Sequence, residues 1–342
     1  MDDFLPKKVI YKPSIPGVIG LSKISDIPFI NPIIQCFSNV QRLKFGLLSM
    51  YNDLKNNKSN EKKLSFALAK VLKNLWENLN IREYEPKAFI EIIKSNINQT
   101  IKEPKQLIAY LLKEIHYELN NVENMNIVMN QNMNLFQNNN FIEVFDIYKK
   151  NYEKRNNSII SKEFSGYFTE VQRCTNCNFY FINSKNIQHF NFLNFNLDII
   201  IKLKNYNFNC IDICECFEYF QKKENIFLNC NICGAQMYKF TKLLNMPNTL
   251  IINFKYNKTK VRINYKEYLN LKKYILFNDI IFYYELIGVI THINNENENN
   301  FVAYCKNDKC IWYKYNDNKV TKSSFREIDG IPFVLFYSYI QI

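Results

Sequence analysis

The sequence predicts an α+β fold, and three observations support this prediction. Residues 17–160 carry apolar side chains at helical spacing, whereas residues 164–342 carry short runs in which Phe, Ile and Tyr alternate with polar residues. Two Cys-x-x-Cys pairs fall within the second region. The pattern therefore predicts helices beside a mainly antiparallel sheet, with a cysteine-rich element among the strands.

The composition is that of an ordinary globular protein with ample core. The chain has 342 residues, of which 47% are hydrophobic and 22% charged, and its net charge is +12. No block of Lys or Arg concentrates this charge, and Lys, Asn, Ile, Phe and Tyr are abundant together. We therefore do not expect specific nucleic-acid binding.

The N-terminus and the most apolar later stretch both argue against a membrane protein. The first eight residues, MDDFLPKK, contain no apolar signal region, which predicts an intracellular protein, cytoplasmic or nuclear. The segment Tyr274–Ile290 is interrupted by Asn278, Asp279 and Glu285 and therefore indicates strands. Residues 1–14 are expected to form an N-terminal leader and residues 15–342 a single domain.

Helix signals follow one another along residues 17–160. The first helix is expected to begin near Pro32 with Asn31 as its cap, because proline fits a first turn where its missing N–H needs no partner. The polar segment Tyr51–Lys62 is predicted to be a loop. Further helices are predicted for Leu64–Leu79, from Pro86, for Pro104–Leu119 and for Phe141–Tyr152, with an Asn-rich loop at Asn120–Asn140.

The strand region begins at Phe164. Runs such as Phe190–Ile201 and Thr249–Tyr256 are rich in Phe, Ile and Tyr, which suits half-buried antiparallel strands.

The two cysteine pairs are Cys174 with Cys177 and Cys230 with Cys233. Four thiolates on two tight turns form the ligand set of a closed tetrahedral zinc site, which stabilises a fold directly. The alternative is four free or redox thiols, but a redox pair needs a thioredoxin-like βαβ context, which the pattern lacks. Cys210, Cys214 and Cys216 are expected to be core or surface thiols.

A frame near the N-terminus points to a family. It consists of Gly20-Leu21, Ile24, Pro28-Phe29, Asn31 and Ile34-Gln35-Cys36-Phe37. The frame resembles the catalytic cysteine box of the ubiquitin-specific proteases, in which the nucleophile occupies the position of Pro28. The asparagine that helps to hold the oxyanion in that family is replaced by Lys23. Cys36 lies a full turn inside the helix and is expected in the core.

Boxes further along resemble the same family. Pro104–Leu119 is similar to its second helical box, and His116 is expected to have a packing or hydrogen-bonding role. The strand Tyr284–His292 and the segment that follows it place Asn300 at the position of the general base. The segment Trp312–Val320 resembles the third box, with Asn316 at the catalytic position and Asp317 beside it.

These substitutions remove the chemistry that the resemblance implies. Proline has no nucleophilic atom, and an amide cannot take a proton from a thiol at neutral pH. His292 aligns with an additional histidine of the family and is not expected to replace the base.

The resemblance implies a papain-like ubiquitin-specific-protease fold, with a helical thumb at 17–160 and an antiparallel β palm and zinc-ribbon-like fingers at 164–342. The first function that the resemblance implies is that of a pseudo-deubiquitinase. Such a protein would act as a scaffold, and its ligand would be ubiquitin, bound weakly, or a ubiquitin-like protein, or another protein partner. Weak ubiquitin binding is expected because Lys23 adds positive charge beside an arginine-bearing tail.

Two alternatives remain open. Gly17–Leu21 and Ser38-Asn39-Val40 resemble an inactive branch of the family that works in the spliceosomal tri-snRNP, which predicts spliceosomal partners. That branch, however, carries an N-terminal zinc-finger domain and usually lacks the paired knuckles. The other alternative is a ubiquitin carboxyl-terminal hydrolase with displaced catalytic residues, which the residues at the catalytic positions argue against.

Overall fold

Helices dominate the first half of the chain. The computed structural model describes residues 14–57, 59, 63–97, 101–122, 141–182, 184–204, 210–256, 261–276, 282–294 and 299–341. The α-helices are α1 Ile30–Ser38, α2 Gln41–Ser49, α3 Tyr51–Asn56, α4 Leu64–Trp76, α5 Lys87–Asn96, α6 Pro104–Leu119, α7 Phe141–Arg155, α8 Ile159–Phe164, α9 Leu197–Lys204 and α10 Ile213–Phe220. The expected leader, apart from Ser14, and most of the Asn-rich segment lie outside the described residues.

The start of α1 differs from the prediction. The helix begins at Ile30, with Phe29 at the cap position, and Asn31 and Pro32 both lie in its first turn. The first helical hydrogen bond runs from the Ile33 N–H to the Phe29 carbonyl, so the missing N–H of Pro32 costs nothing. Asn31 does not cap the helix, because its side chain is buried and donates to groups elsewhere.

The remaining helices largely confirm the sequence pattern. The helix from Pro104 begins with a capping box, in which Gln106 and Glu103 each bind the other's backbone. The segment Tyr51–Lys62 is not a loop throughout, because Tyr51–Asn56 forms α3 with Leu54 buried. Lys44 on α2 is 1% exposed and its ammonium lies 2.7 Å from the Asp308 carboxylate, which ties the helices to the sheet.

The second half of the chain forms the sheets. The strands are β1 Gly20–Leu21, β2 Glu83–Tyr84, β3 Gly166–Cys174, β4 Tyr180–Ile182, β5 Gln188–Phe190, β6 Leu193–Asn196, β7 Cys210–Asp212, β8 Glu224–Asn229, β9 Gln236–Asn245, β10 Thr249–Lys255, β11 Arg262–Asn264, β12 Tyr268–Asn270, β13 Tyr283–Asn294, β14 Asn299–Lys306, β15 Trp312–Asn316, β16 Lys319–Ser323 and β17 Ile331–Ile340. The larger sheet has the order β16-β15-β14-β13-β17-β10-β6, with β12 beside β13. A second sheet has the order β4-β3-β9-β8, with β5 beside β3.

Two features of this half correct the prediction. The run Phe190–Ile201 is not one strand, since it divides into β5, β6 and the start of α9. β6 also pairs with β10 in parallel, whereas the prediction was antiparallel. A short run of Ile and Leu is compatible with a strand or a helix, and here packing against β10 decides.

The core lies on both faces of the larger sheet. On one face, α1 packs against β13, β14 and β15, so that Ile33, Ile34 and Phe37 are buried between helices and strands. On the other face, the aromatic residues Phe195, Phe217 and Tyr284 are buried. Within the described residues, every helix is too short or too polar to cross a membrane.

Candidate functional site

The N-terminus of α1 meets the turn between β15 and β16. The Leu21 N–H donates to the Asp317 carbonyl at 2.9 Å, which joins the segment before α1 to this turn. A Cβ on Gly20 would lie 2.4 Å from the Asn318 carbonyl oxygen, so this approach needs glycine. Pro28 stands exposed just before the helix, and Lys23 is exposed on the same connection.

Three amides gather around one carboxylate at this junction. We call Asn31, Asn300, Asn316 and Asp317 the amide–carboxylate cluster. Asn31 Nδ2 donates to Asp317 Oδ1 at 2.8 Å, and Asn300 Nδ2 donates to Asn316 Oδ1 at 2.7 Å and to Asp317 Oδ2 at 3.4 Å. Asp317 has a φ of 52°, a conformation that Asp and Asn adopt more readily than most residues. The structure therefore brings together Asn300 and Asn316, which the sequence analysis aligned with the second and third catalytic boxes, and the first turn of α1.

The chemistry of this cluster is that of hydrogen bonding. The amide of Asn300 can donate a hydrogen bond, as an imidazole N–H can, but its nitrogen has no lone pair available for a proton. The neighbouring Pro28 supplies no nucleophile. As arranged, the cluster can hold three chain segments together and can present polar groups to a ligand.

His292 lies on the other face of the strands from Asn300. It is the cross-strand partner of Phe301, and the two rings lie 4.7 Å apart. Phe301 follows Asn300 directly, and successive side chains of a strand point to opposite faces. His292 is therefore poorly placed to act as a base beside Asn316.

Two other sequence-predicted residues have structural roles. Cys36 is 1% exposed, its sulfur lies 3.7 Å from that of Cys305, and burial raises the pKa of its thiol. His116 is hydrogen-bonded to Ser158 at 2.7 Å and to Asn156 at 3.1 Å, and burial lowers the pKa of its imidazole. Both predictions are confirmed, since Cys36 is core and His116 is a hydrogen-bonded histidine.

The four paired cysteines converge at the far end of β3, β8 and β9. We call Cys174, Cys177, Cys230 and Cys233 the cysteine cluster. Their sulfur atoms all lie within 4.8 Å of one another, with Cys174 to Cys233 at 3.4 Å and Cys177 to Cys230 at 3.6 Å. These distances are too long for disulfides and suit a tetrahedral ion with Zn–S bonds of about 2.3 Å, which separates sulfurs by roughly 3.8 Å.

Backbone hydrogen bonds shape both knuckles, and in the first knuckle two of them reach the Cys174 thiol. The N–H groups of Cys177 and Asn176 each donate to the Cys174 sulfur at 3.3 Å, and these bonds lower the pKa of that thiol to about 6. The second knuckle closes through a Gly234 N–H to Cys230 carbonyl bond of 2.8 Å, and Gly234 has a φ of 73°. The donor set and its spacing therefore fit a metal ion.

Sequence reasoning missed one member of the amide–carboxylate cluster and one contact in the core. Asn31 was assigned to a cap, although an amide on the first turn of an apolar helix equally signals a buried hydrogen-bonding role. The contact between Cys36 and Cys305 joins α1 to β14 across 269 residues, and no local pattern carries such information.

A comparison with protein families supports the resemblance read from the residues. Residues 19–337 match the family described as ubiquitin carboxyl-terminal hydrolase. The chain is 25% identical to ubiquitin carboxyl-terminal hydrolase 8 of Saccharomyces cerevisiae, covering 95% of this chain and 71% of that protein. It is 22% identical to Usp2 of Drosophila melanogaster and 21% identical to human ubiquitin carboxyl-terminal hydrolase 2. It spans 35% of the former and 55% of the latter.

Solved structures share the fold. A yeast SAGA DUB module containing an Sgf73 mutant aligns with a TM-score of 0.68 at 23% identity, covering 97% of this chain and 71% of that chain. The SAGA DUB module of Ubp8, Sgf11, Sus1 and Sgf73 bound to monoubiquitin aligns with a TM-score of 0.69 at 21% identity, covering 98% and 73%. These likenesses confirm the predicted fold of helices and sheet.

Proposed function

Because this chain belongs to the ubiquitin carboxyl-terminal hydrolase family, we propose that it is a pseudo-deubiquitinase, a binding or scaffold protein of the ubiquitin system without thiol isopeptidase chemistry. The observation that carries the proposal is the hydrogen bond of 2.7 Å from the Asn300 amide to Asn316. An amide donor occupies the place where the chemistry needs a base, and Pro28 occupies the place where it needs a thiol.

Six of the ten cysteines lie where their thiols offer no substitute nucleophile. Cys36 and Cys305 face each other in the core, and desolvation disfavours the Cys36 thiolate, which is the reactive form. The cysteine cluster lies at the end of the second sheet, whose strands are distinct from those that carry Asn300 and Asn316. An active hydrolase with displaced residues would need a thiol beside the amide–carboxylate cluster.

The cysteine cluster is proposed to hold one structural zinc ion. Cys174, Cys177, Cys230 and Cys233 would be its four ligands, leaving no open position for catalysis. A closed site of this kind supplies folding free energy to the end of the second sheet, and its loss would remove a cross-link between the ends of β3 and β8, which are joined in the sheet through β9.

The proposed ligand is a protein. A structural relative has been solved with monoubiquitin bound, which makes ubiquitin or a ubiquitin-like protein the first candidate for this chain. We propose that ubiquitin binds weakly, at roughly tens of micromolar, because the exposed Lys23 opposes a basic tail. The relatives described above give no support to spliceosomal partners, which remain a prediction from the sequence, as does an intracellular location.

A ubiquitin probe with a C-terminal electrophile tests the proposal. We expect the purified wild-type protein to stay unlabelled and its hydrolysis of ubiquitin amides to equal that of buffer. The matched comparison is the double variant Pro28→Cys with Asn300→His, which restores a thiol and a base while keeping the Asn316 acceptor. Labelling of the wild type at any cysteine, Cys36 included, would refute the loss of chemistry.

A further inference from the structure

Two apolar residues of β8 are exposed where the pairing of this strand with β9 is interrupted. The register shifts between Ile226 and Asn229, so that Phe227 and Leu228 have no partner on β9. Bulges of this kind re-aim the side chains of a strand. Phe227 is completely exposed and Leu228 is 46% exposed.

A third exposed apolar residue follows in the second knuckle. Ile232 lies between Cys230 and Cys233 and is 68% exposed. We call Phe227, Leu228 and Ile232 the apolar tip. Single exposed apolar residues are common, whereas a group of them on one short segment marks an interaction site.

The apolar tip is not used to pack this end of the sheet. Met237, which is buried, and the partly buried Ile226 pack with the thiols of the cysteine cluster. The three residues of the tip are therefore available to another molecule.

The strand that carries most of the tip is an edge strand. β8 is the last strand in the order β4-β3-β9-β8, and within the described part of the chain no strand pairs with its outer side. An edge strand presents unpaired backbone N–H and C=O groups, which can pair with a strand of another chain. The edge thus supplies backbone hydrogen bonds, and the tip supplies apolar contact.

The surroundings of the tip are positively charged. The second sheet and its knuckles carry the carboxylates Glu170 and Glu224 and the cations Arg173, Lys185, Lys222, Lys223, Lys239 and Lys242. Both carboxylates lie by the Lys239 ammonium, at 3.0 and 3.8 Å. Lys222 and Lys223 directly precede β8, and Arg173 is the cross-strand partner of Tyr238 on β9. Among the described residues, no carboxylate forms an ion pair with these three exposed cations.

We propose that the outer edge of β8 docks an extended acidic segment of a partner protein, whose apolar residues cover the tip and whose carboxylates face Lys222, Lys223 and Arg173. Complementary charge steers and orients such a segment, and pairing with the strand edge holds it. The docking surface belongs to a different sheet from Asn300 and Asn316, so it goes beyond the proposed function and does not depend on it.

The same observations disfavour two other occupants. A second copy of this chain would present cations to these cations, because a two-fold interface places the same patch on both sides. A single-stranded nucleic acid would use aromatic rings for stacking, whereas two of the three residues of the tip are aliphatic. An acidic protein segment matches both the charge and the aliphatic groups.

Methyl NMR of the full chain tests the surface, because Leu228 and Ile232 report from the tip. The protein is labelled with ¹³C at its leucine and isoleucine methyl groups and titrated with the capped peptide EVELEVE. We expect saturable shifts of both residues, with a dissociation constant of roughly 100 µM. The peptides KVKLKVK and ESESESE, which lack the charge or the apolar groups, should bind at least tenfold more weakly.

Backbone methylation of the peptide tests the pairing with β8. Only alternate N–H groups of a strand face a given neighbour. Of two EVELEVE peptides, one N-methylated at its odd residues and one at its even residues, one should therefore lose at least tenfold in affinity and the other should keep it. Equal affinity of both methylated peptides and the parent would overturn the docking at a strand edge.

Variants locate the binding. Phe227→Ser should weaken EVELEVE at least tenfold, because it removes the central apolar contact, and should leave the Tm unchanged, because the side chain is fully exposed. Tyr268→Ser, at an exposed aromatic residue of β12, is the control and should bind like the wild type.

A second pair of variants tests the charge. Lys222→Gln with Lys223→Gln should weaken the peptide about fivefold and reduce its salt dependence. Lys87→Gln with Lys94→Gln, two exposed charges on α5, should not.

Four results would overturn the proposal. They are the absence of saturable shifts at Leu228 and Ile232, equal binding of KVKLKVK, unchanged affinity in Phe227→Ser, and larger shifts at the tip with ubiquitin, with a single-stranded oligothymidylate or with rising protein concentration alone.

Discussion

The cysteine cluster and the amide–carboxylate cluster are both assembled from segments far apart in the sequence. They differ in how far their residues depart from those that the family resemblance predicts. The cysteine cluster has all four thiols within 4.8 Å. The amide–carboxylate cluster keeps a connected set of hydrogen bonds although proline and asparagine stand where a thiol and an imidazole are expected.

The difference follows from what each kind of site requires. A closed metal site needs every donor atom to be of the right type, so that one replacement removes the ion. A hydrogen-bonded junction needs only donors facing acceptors, and an amide N–H can replace an imidazole N–H as a donor. A fold can therefore lose its chemistry at such a junction and keep its structure there.

Removing a ligand of the cysteine cluster should have the largest effect. Cys230→Ser, or treatment with a strong chelator, is expected to lower the Tm by roughly 10 °C or more, because structural zinc contributes to folding outright. The measurements are metal content by mass spectrometry, expected at one zinc per chain, and thermal unfolding.

The exposed Cys210 supplies the control for this experiment, and Cys210→Ser should leave the Tm unchanged. A metal-free wild-type protein that melts at the same temperature as Cys230→Ser would contradict the assignment.

The buried carboxyl group of Glu163, on α8 between the helices and β10, is expected to make the stability of the protein depend on pH. Stability measurements on variants of the two clusters must therefore be made at one fixed pH. Burial raises its pKa from 4.5 to about 7, although Thr249 donates to it at 2.6 Å and the charge of Arg42 opposes the shift. Because the folded state holds this proton more tightly, the free energy of unfolding falls as pH rises from about 4.5 to 7. The expected loss is about 2–3 kcal/mol, since one pKa unit corresponds to about 1.4 kcal/mol.

Glu163→Gln should abolish that part of the pH dependence and stabilise the protein at pH 8. The measurement is urea unfolding of both proteins from pH 5 to pH 8, and Glu143→Gln, an exposed carboxylate on α7, serves as the control. Parallel pH profiles for wild type and Glu163→Gln would show that this carboxyl group does not titrate in the range.

A smaller loss is expected when the acceptor of the amide–carboxylate cluster is removed. Asp317→Gly retains the positive φ but deletes the carboxylate that accepts from Asn31 and Asn300, and should destabilise the fold by about 1–2 kcal/mol. Chemical unfolding measures the change. Asn318→Gly, on the same turn and exposed, should cost less than about 0.5 kcal/mol. Equal losses in the two variants would mean that the cluster is not structural.

The smallest effect concerns the binding of ubiquitin near Lys23. Lys23→Asn should tighten ubiquitin by roughly threefold, because it removes one exposed positive charge near a basic tail. Titration calorimetry at two salt concentrations measures it, with Lys87→Asn on α5 as the matched surface control. Sub-micromolar binding by the wild type, unimproved by Lys23→Asn, would show that the electrostatic reasoning is wrong.

Local patterns in the sequence were sufficient for several features of this protein. Helices such as Leu64–Trp76 and Pro104–Leu119 have strong apolar periodicity and clear start signals, and both form close to where they were predicted. The spacing of the cysteine pairs was enough to predict the knuckles, because two residues between two cysteines place both thiols on one tight turn. That Pro28 has no nucleophilic atom and that Asn300 is not a base also follow from the sequence, since both depend only on residue identity.

Tertiary structure decided what depends on partners distant in the chain. Asn31 became a buried donor to Asp317 and not a cap, because the turn after β15 packs on the start of α1. Leu197–Lys204 became α9 because a short apolar run fits either element and packing against β10 chooses between them. Hydrogen-bond satisfaction of a buried group depends on what three-dimensional packing brings to it, and the sequence around that group does not contain that information.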